Sequence, residues 1–200
     1  MKKNLFASIA IFTAVFFVSC QKEADSPSSS TIDITGTWTF ISMDAATSAV
    51  VEASQGSETD KTVTTSNYTT ENNSGTITID ASTMKMNDVA YSINTTAKAY
   101  MYQNNELTDS LEMPLSFTAP ASSGSMNYRY ITGDSIYFDQ GTLLMNGVTQ
   151  NTVPGGARIK LEGDILYLTE SVHDVSEQQA AGVTIKKDES GTVVIKMKRQ

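Results

Sequence analysis

The sequence predicts an all-β protein, an antiparallel β-barrel of about eight to ten strands with one short helix ahead of the last strand. Three observations lead there. Short segments alternate apolar and polar residues, as at Leu111, Met113, Leu115 and Phe117, while sustained 3.6-residue periodicity is nearly absent. Asn-Asp, Gly-Asp and Asn-Gly pairs punctuate these segments, and such pairs tolerate the positive φ of tight hairpin turns. The chain holds a single cysteine. Packing and sheet closure, rather than disulfides, must therefore stabilise the domain.

The first element precedes the fold. Lys2 and Lys3 form a positive n-region, and residues 5–18 are apolar apart from small Ala, Ser and Thr residues. That run is shorter than the roughly 20 residues a spanning helix needs, and it suits a signal peptide over residues 1–19. Phe17-Val18-Ser19-Cys20 resembles the lipobox of bacterial lipoproteins, with Phe17 where Leu is usual. The resemblance implies that Cys20 is diacylated and becomes the first residue after cleavage. Its acyl chains then fix the protein to the outer membrane, on the periplasmic or the cell-surface face. A lone exported thiol is otherwise unusual, which suits Cys20 to that role. Residues 20–33 read as the lipidated cysteine and a flexible tether, charged at first and Ser-rich from Ser26 to Ser30.

Residues 34–200 are of a size for one domain. Residues 44–74 are rich in Ser, Thr and Asn and read mostly as loop, with a strand near 62–69. Residues 119–125 read as a second loop and Pro154-Gly155-Gly156 as a third. Turns followed by tyrosine recur at Asn87-Asp88 with Tyr91, Gly133-Asp134 with Tyr137, and Gly163-Asp164 with Tyr167. Asn146-Gly147 is a fourth candidate turn.

A two-residue turn sets both partners and faces. Around Gly163-Asp164 it pairs Leu161 with Leu166 and Ile159 with Leu168 in the core, and Lys160 with Tyr167 outside. Around Gly133-Asp134 it pairs Ile131 with Ile136 inward and Tyr130 with Tyr137 outward. Arg129 then falls opposite Phe138 on the inner face. A register slipped by one residue inverts those faces and turns Arg129 to water. Around Asn87-Asp88, Met84, Met86, Val89, Tyr91 and Ile93 share the inner face, and the stripe continues through Thr95, Ala97, Ala99 and Met101. Pro114 points away from the Leu111–Phe117 stripe, as an edge or bulge allows. Asp174-Val175-Ser176-Glu177 resembles a capping box, with Gly182 placed to end a short helix. Residues 192–199 form the last strand.

Gly36-Thr37-Trp38, at the opening of the first strand, resembles the Gly-x-Trp signature of lipocalins and their lipocalin-like bacterial relatives. The resemblance implies a lipocalin-like barrel whose Trp38 packs across the closed end beneath a basic residue of the last strand. Val193, Ile195, Met197 and Arg199 share one face of that strand, so parity lets Arg199 reach Trp38. Gly36, Trp38 and Arg199 are thus the expected barrel-closing residues.

The formal charge is −8. Without Lys2 and Lys3, 12 basic residues face 22 acidic ones, a net charge of −10. No basic stripe is present to neutralise phosphates, so nucleic acid is not an expected partner. No nucleophile motif stands out: Ser82 and Lys85 match Ser-x-x-Lys, but three residues apart on a strand they face opposite sides. His173 is the one histidine, and Glu170, His173, Asp174 and Glu177 read as a solvated strand-to-helix corner rather than a metal site. The chain is therefore expected to be neither an enzyme nor a cofactor or metal protein.

Two functions from different classes follow. In the first, the barrel binds a small hydrophobic or amphipathic ligand, and Tyr91, Met101, Arg129, Ile131 and Phe138 line the cavity. In the second, a barrel filled by its own side chains serves as a surface interaction module for a glycan or protein partner. That module would act through its loops or through a strip of Tyr128, Tyr130, Tyr137 and Tyr167. The volume of the cavity separates the two.

Overall fold

The computed structural model describes residues 31–139 and 154–200. Cys20, the signal peptide and Asn146-Gly147 lie outside the described residues. Nine strands form one antiparallel sheet: β1 (Gly36–Gln55), β2 (Glu58–Thr69), β3 (Glu71–Ile79), β4 (Thr83–Gln103), β5 (Glu106–Thr132), β6 (Ser135–Phe138), β7 (Gly155–Glu162), β8 (Ile165–Ala180) and β9 (Val183–Arg199). Sequence neighbours other than β2 and β3 pair around the sheet, and β9 returns to β1 from Trp38↔Arg199 to Ser54↔Thr184, closing a barrel-like ring of eight strands.

The ninth strand has no separate place in that ring. Residues 36–39 of β1 pair with β3, and residues 44–55 pair with β2, which also pairs with β4. Strands β2 and β3 thus lie end to end between β1 and β4. The handover is fastened at Thr70, whose N–H donates to the Met43 carbonyl at 2.9 Å. The Met43 N–H donates back to Thr70 Oγ1 at 2.8 Å.

Strand lengths divide the molecule into two halves. At about 3.3 Å per residue, β1 reaches about 65 Å, while the eight residues of β7 reach less than half of that. The hairpins β1–β2, β4–β5 and β8–β9 therefore run on beyond the part that β6 and β7 complete. The apolar core fills the shorter half, where Trp38, Phe40, Met84, Ile136, Phe138 and Met197 are all buried. Tyr91 roofs it, edge-on to Phe40 at 6.3 Å and tilted against Phe117 at 6.4 Å.

Several expectations are corrected. Residues 44–74 are strand for most of their length. From residue 46 to residue 65 neither sheet face is fully buried, so the polar Ser/Thr run carries no apolar alternation to mark it as strand. Residues 119–125 belong to β5 and pair with β4, and Gly155-Gly156 opens β7. No helix is seen among the described residues. Residues 174–177 lie in β8, paired with residues 186–189 of β9. Gly182 does adopt positive φ (82°), but with Ala181 (52°) it makes a hairpin turn rather than a helix cap. The same residue type serves both ends, and only the partner strand decides between them.

Asn87-Asp88 is not a turn. It is a bulge within β4, where Ser74↔Ala90 and Thr76↔Asn87 leave Asp88 and Val89 together opposite Gly75. The extra residue preserves the inner face: Met84, Met86, Val89, Tyr91 and Ile93 are all buried. Around Gly163-Asp164 the pairs are Leu161↔Leu166, Lys160↔Tyr167 and Ile159↔Leu168, the partners a two-residue turn dictates.

The Gly133-Asp134 hairpin differs by one residue. A bulge between Tyr130 and Thr132 makes the pairs Tyr130↔Ile136, Arg129↔Tyr137 and Tyr128↔Phe138. Ile131 is consequently exposed, and Tyr128 turns into the core.

Candidate functional site

Three places on this frame carry polar chemistry: the closed end, the barrel interior and an outer cleft. At the closed end, residues 31–35 pass beneath the barrel. The Trp38 indole N–H donates to the Ile34 carbonyl at 2.9 Å. The Arg199 guanidinium lies 4.5 Å from the Trp38 ring centroid and donates to the Thr35 carbonyl at 3.2 Å. Gly36 opens the strand beside them, 3.6 Å separating a Cβ built there from Arg199 Nη1.

The tether side is held from above as well. Tyr130 Oη donates to the Ile32 carbonyl at 2.8 Å, and the Ile32 N–H donates to the Gly133 carbonyl at 2.8 Å. Tyr128 Oη donates to the Asp80 carbonyl at 2.6 Å. Burial pushes both phenols above their ordinary pKa. Hydrogen bonds from the Thr35 hydroxyl and N–H hold the Asp33 carboxyl below its usual range, and Arg199 adds to the effect. These contacts anchor residues 32–35 to the closed end.

Among the described residues the barrel core is apolar and closely packed. A void of about 20 Å³ remains, bounded by Ile77, Met84, Phe138, Leu168 and Met197 together with Glu170. A water molecule fits such a space, whereas small-molecule sites run to roughly 300–1,000 Å³. Glu170 faces this apolar interior at 4% exposure, so it is no solvated corner. Asp174 shares its side of β8, while His173 lies on the other side, with Nε2 3.0 Å from Asp188 Oδ1. Among the described residues no three His, Cys, Asp or Glu side chains are grouped to hold a metal ion.

The residues expected to line a ligand cavity do not converge. Tyr91 and Phe138 are core. Met101 lies in the extension, paired with Thr62 and Asp109. Arg129 points outward at 59% side-chain exposure, 4.6 Å over the Tyr137 ring and 3.9 Å from Asp139. Ile131 is 54% exposed. The expected tyrosine strip is likewise divided. Tyr128 and Tyr130 pack inward with ring centroids 5.8 Å apart, and Tyr137 and Tyr167 remain opposite cations outside.

The third place was not legible beforehand. An open cleft of about 500 Å³ lies on the outer face near the handover from β3 to β2. Asp44, Ala45 and Ala46 of β1 form its middle, Asn67, Tyr68 and Thr69 of β2 one side, and Thr192 and Val194 of β9 the other. The register places them as neighbours: Asp44↔Thr69, Ala46↔Asn67, Asp44↔Val194 and Ala46↔Thr192. Thr69 Oγ1 donates to Asp44 Oδ1, which fixes the carboxylate. Asp44 and Ala46 fall in the stretch that reads as loop, and Asn67 and Thr69 in the strand expected near 62–69. The signal that would have found them is the alternation Asp44, Ala46 against Asn67, Thr69 once both stretches are taken as strands.

The chain matches no family model, no curated protein and no solved structure. What it does must therefore be argued from these three places.

Proposed function

We propose that this protein is a lipid-anchored, non-enzymatic interaction module of the cell envelope, built on a lipocalin-like barrel filled by its own side chains. The observation that carries the reading is the interior: a void of about 20 Å³ beneath a roof of Tyr91, Phe40 and Phe117. An apolar ligand has no space there. Recognition then falls to the exterior, where the long hairpins present wide polar faces.

The lipocalin-like relationship is supported by the antiparallel ring of eight strands and by Trp38 capped by Arg199 at the end where residues 31–35 enter. The same geometry suits a tether. Residues 31–35 leave the closed end, and the tips Gly56-Ser57, Asn104-Asn105 and Ala181-Gly182 lie at the opposite end. A lipid on Cys20 would thus hold the closed end towards the outer membrane and present the extension away from it.

Native mass spectrometry of the protein purified from its own envelope, followed by solvent extraction, tests the reading. The expected result is the mass of the acylated chain alone. A stoichiometric, extractable apolar ligand lost on Phe138→Ala but retained on Arg129→Ala would overturn it in favour of a ligand-binding barrel.

A further inference from the structure

The geometry points to the outer cleft between β2, β1 and β9 as a binding site for a neutral pyranose of a glycan. The inference rests on the interaction-module reading and names its partner class. The cleft is a shallow depression of about 500 Å³, wide open to solvent, so it suits one sugar residue lying on the surface rather than an enclosed ligand. It sits where β1 changes partners and where the β1–β9 register shifts between Phe40 and Ser42. A bulge of that kind bends a sheet and re-aims its side chains.

The chemistry of the lining selects the ligand. Of the residues lining the cleft, Asp44 alone is charged, so phosphates, sulfates and carboxylates are disfavoured. Around it stand the Asn67 amide and the Thr192 hydroxyl, which donate and accept hydrogen bonds, and the Thr69 hydroxyl, which can accept one while it donates to Asp44. Adjacent strands set such groups roughly 4.8 Å apart, and alternate residues set them about 6.7 Å apart. That spacing fits the hydroxyl rim of one sugar ring.

The centre fits its other surface. Ala46 contributes only a methyl group, leaving a floor between the polar side chains, and Val194 adds an apolar wall. A pyranose presents C–H groups on one face and hydroxyls at its edge, matching this floor and this rim. Asp44, oriented by Thr69, is placed to accept from two adjacent hydroxyls, as charge-assisted bonds favour.

The test is saturation-transfer NMR and calorimetry on the purified full-length chain, using methyl glycosides of the common neutral hexoses and glycans released from the producing cells and from unrelated cell surfaces. The expected result is saturable binding of at least one hexoside. Ala46→Leu, which fills the floor of an exposed site, should weaken it at least about tenfold, as should Asp44→Ala. Lys98→Ala, elsewhere on the sheet, should leave it unchanged. A preference for one glycan source distinguishes an envelope polysaccharide from an external one.

Binding that survives Ala46→Leu would overturn the cleft while leaving the interaction module standing. Binding of a simple polyamine, lost on Asp44→Asn, with no hexoside bound would overturn the sugar in favour of a cation. No hexoside and no glycan bound at millimolar concentration would overturn the proposal outright. An apolar ligand in the barrel would instead sink the reading beneath it.

Discussion

Replacing Gly75 by alanine puts a methyl group against backbone. The Cβ would stand 2.5 Å from Val89 Cα and 2.6 Å from the Asp88 carbonyl oxygen, and Gly75 has φ 98°. Two costs add. Positive φ disfavours an L-residue by about 1–2 kcal/mol, and overpacking against atoms that cannot rotate away costs about 1–3 kcal/mol. A loss of about 3 kcal/mol is expected, or a Tm lower by about 6–12 °C at this chain length.

Gly56 is the control. It has φ 62° in the β1–β2 turn, and nothing lies within 4 Å of a Cβ placed there. Gly56→Ala should therefore show the conformational cost alone, about 1 kcal/mol. Urea unfolding followed by far-ultraviolet circular dichroism of the three proteins gives both differences. Equal losses at the two positions would refute the bulge at Asp88-Val89 packing on Gly75, and with it the continuity of β4.

Ile131→Ala and Ile136→Ala test the β5–β6 register: the exposed residue should change stability by less than about 0.5 kcal/mol, and the buried one should lose about 2–4 kcal/mol. A loss of about 2–4 kcal/mol at both positions in the same unfolding assay would restore the unbulged hairpin, in which both side chains face inward. Arg199→Ala should cost about 1 kcal/mol and alter the emission of Trp38, the one tryptophan; unchanged fluorescence would separate the two residues. Burial raises the pKa of Tyr68, Tyr91, Tyr128 and Tyr130 above the ordinary 10.0. Between that value and their folded pKa values only the unfolded chain releases these protons, so stability should be intact below about pH 10 and fall as pH rises past it. Absorbance at 295 nm should show these phenols ionising only as the protein unfolds, and free titration in the native state would refute their burial.

Local chemistry carried the hairpins whose turns are regular. Around Gly163-Asp164 a two-residue turn allows one register, and the faces of β7 and β8 follow from it. Around Gly133-Asp134 the same argument misplaces Arg129 and Ile131, because a bulge adds one residue and every side chain beyond it changes face. Nothing in Tyr130-Ile131-Thr132 advertises the bulge. Its cause is tertiary: Tyr128 and Tyr130 must turn inward for their hydroxyls to reach Asp80 and Ile32.

By itself, then, the sequence determined an all-β, disulfide-free domain, the inner stripe of β4, and the parity that sets Trp38 and Arg199 on matching faces. These depend on period-two alternation and on turn residues, which act over a few positions. Tertiary structure alone decided that the residues of 44–74 outside the strand expected near 62–69 are also mostly strand, and that residues 174–177 extend β8 rather than coil into a helix. It also brought Asp44, Asn67 and Thr192 to one cleft. Those outcomes rest on pairings between strands far apart in the chain, and a polar strand exposed on both faces leaves no periodic trace of its partner.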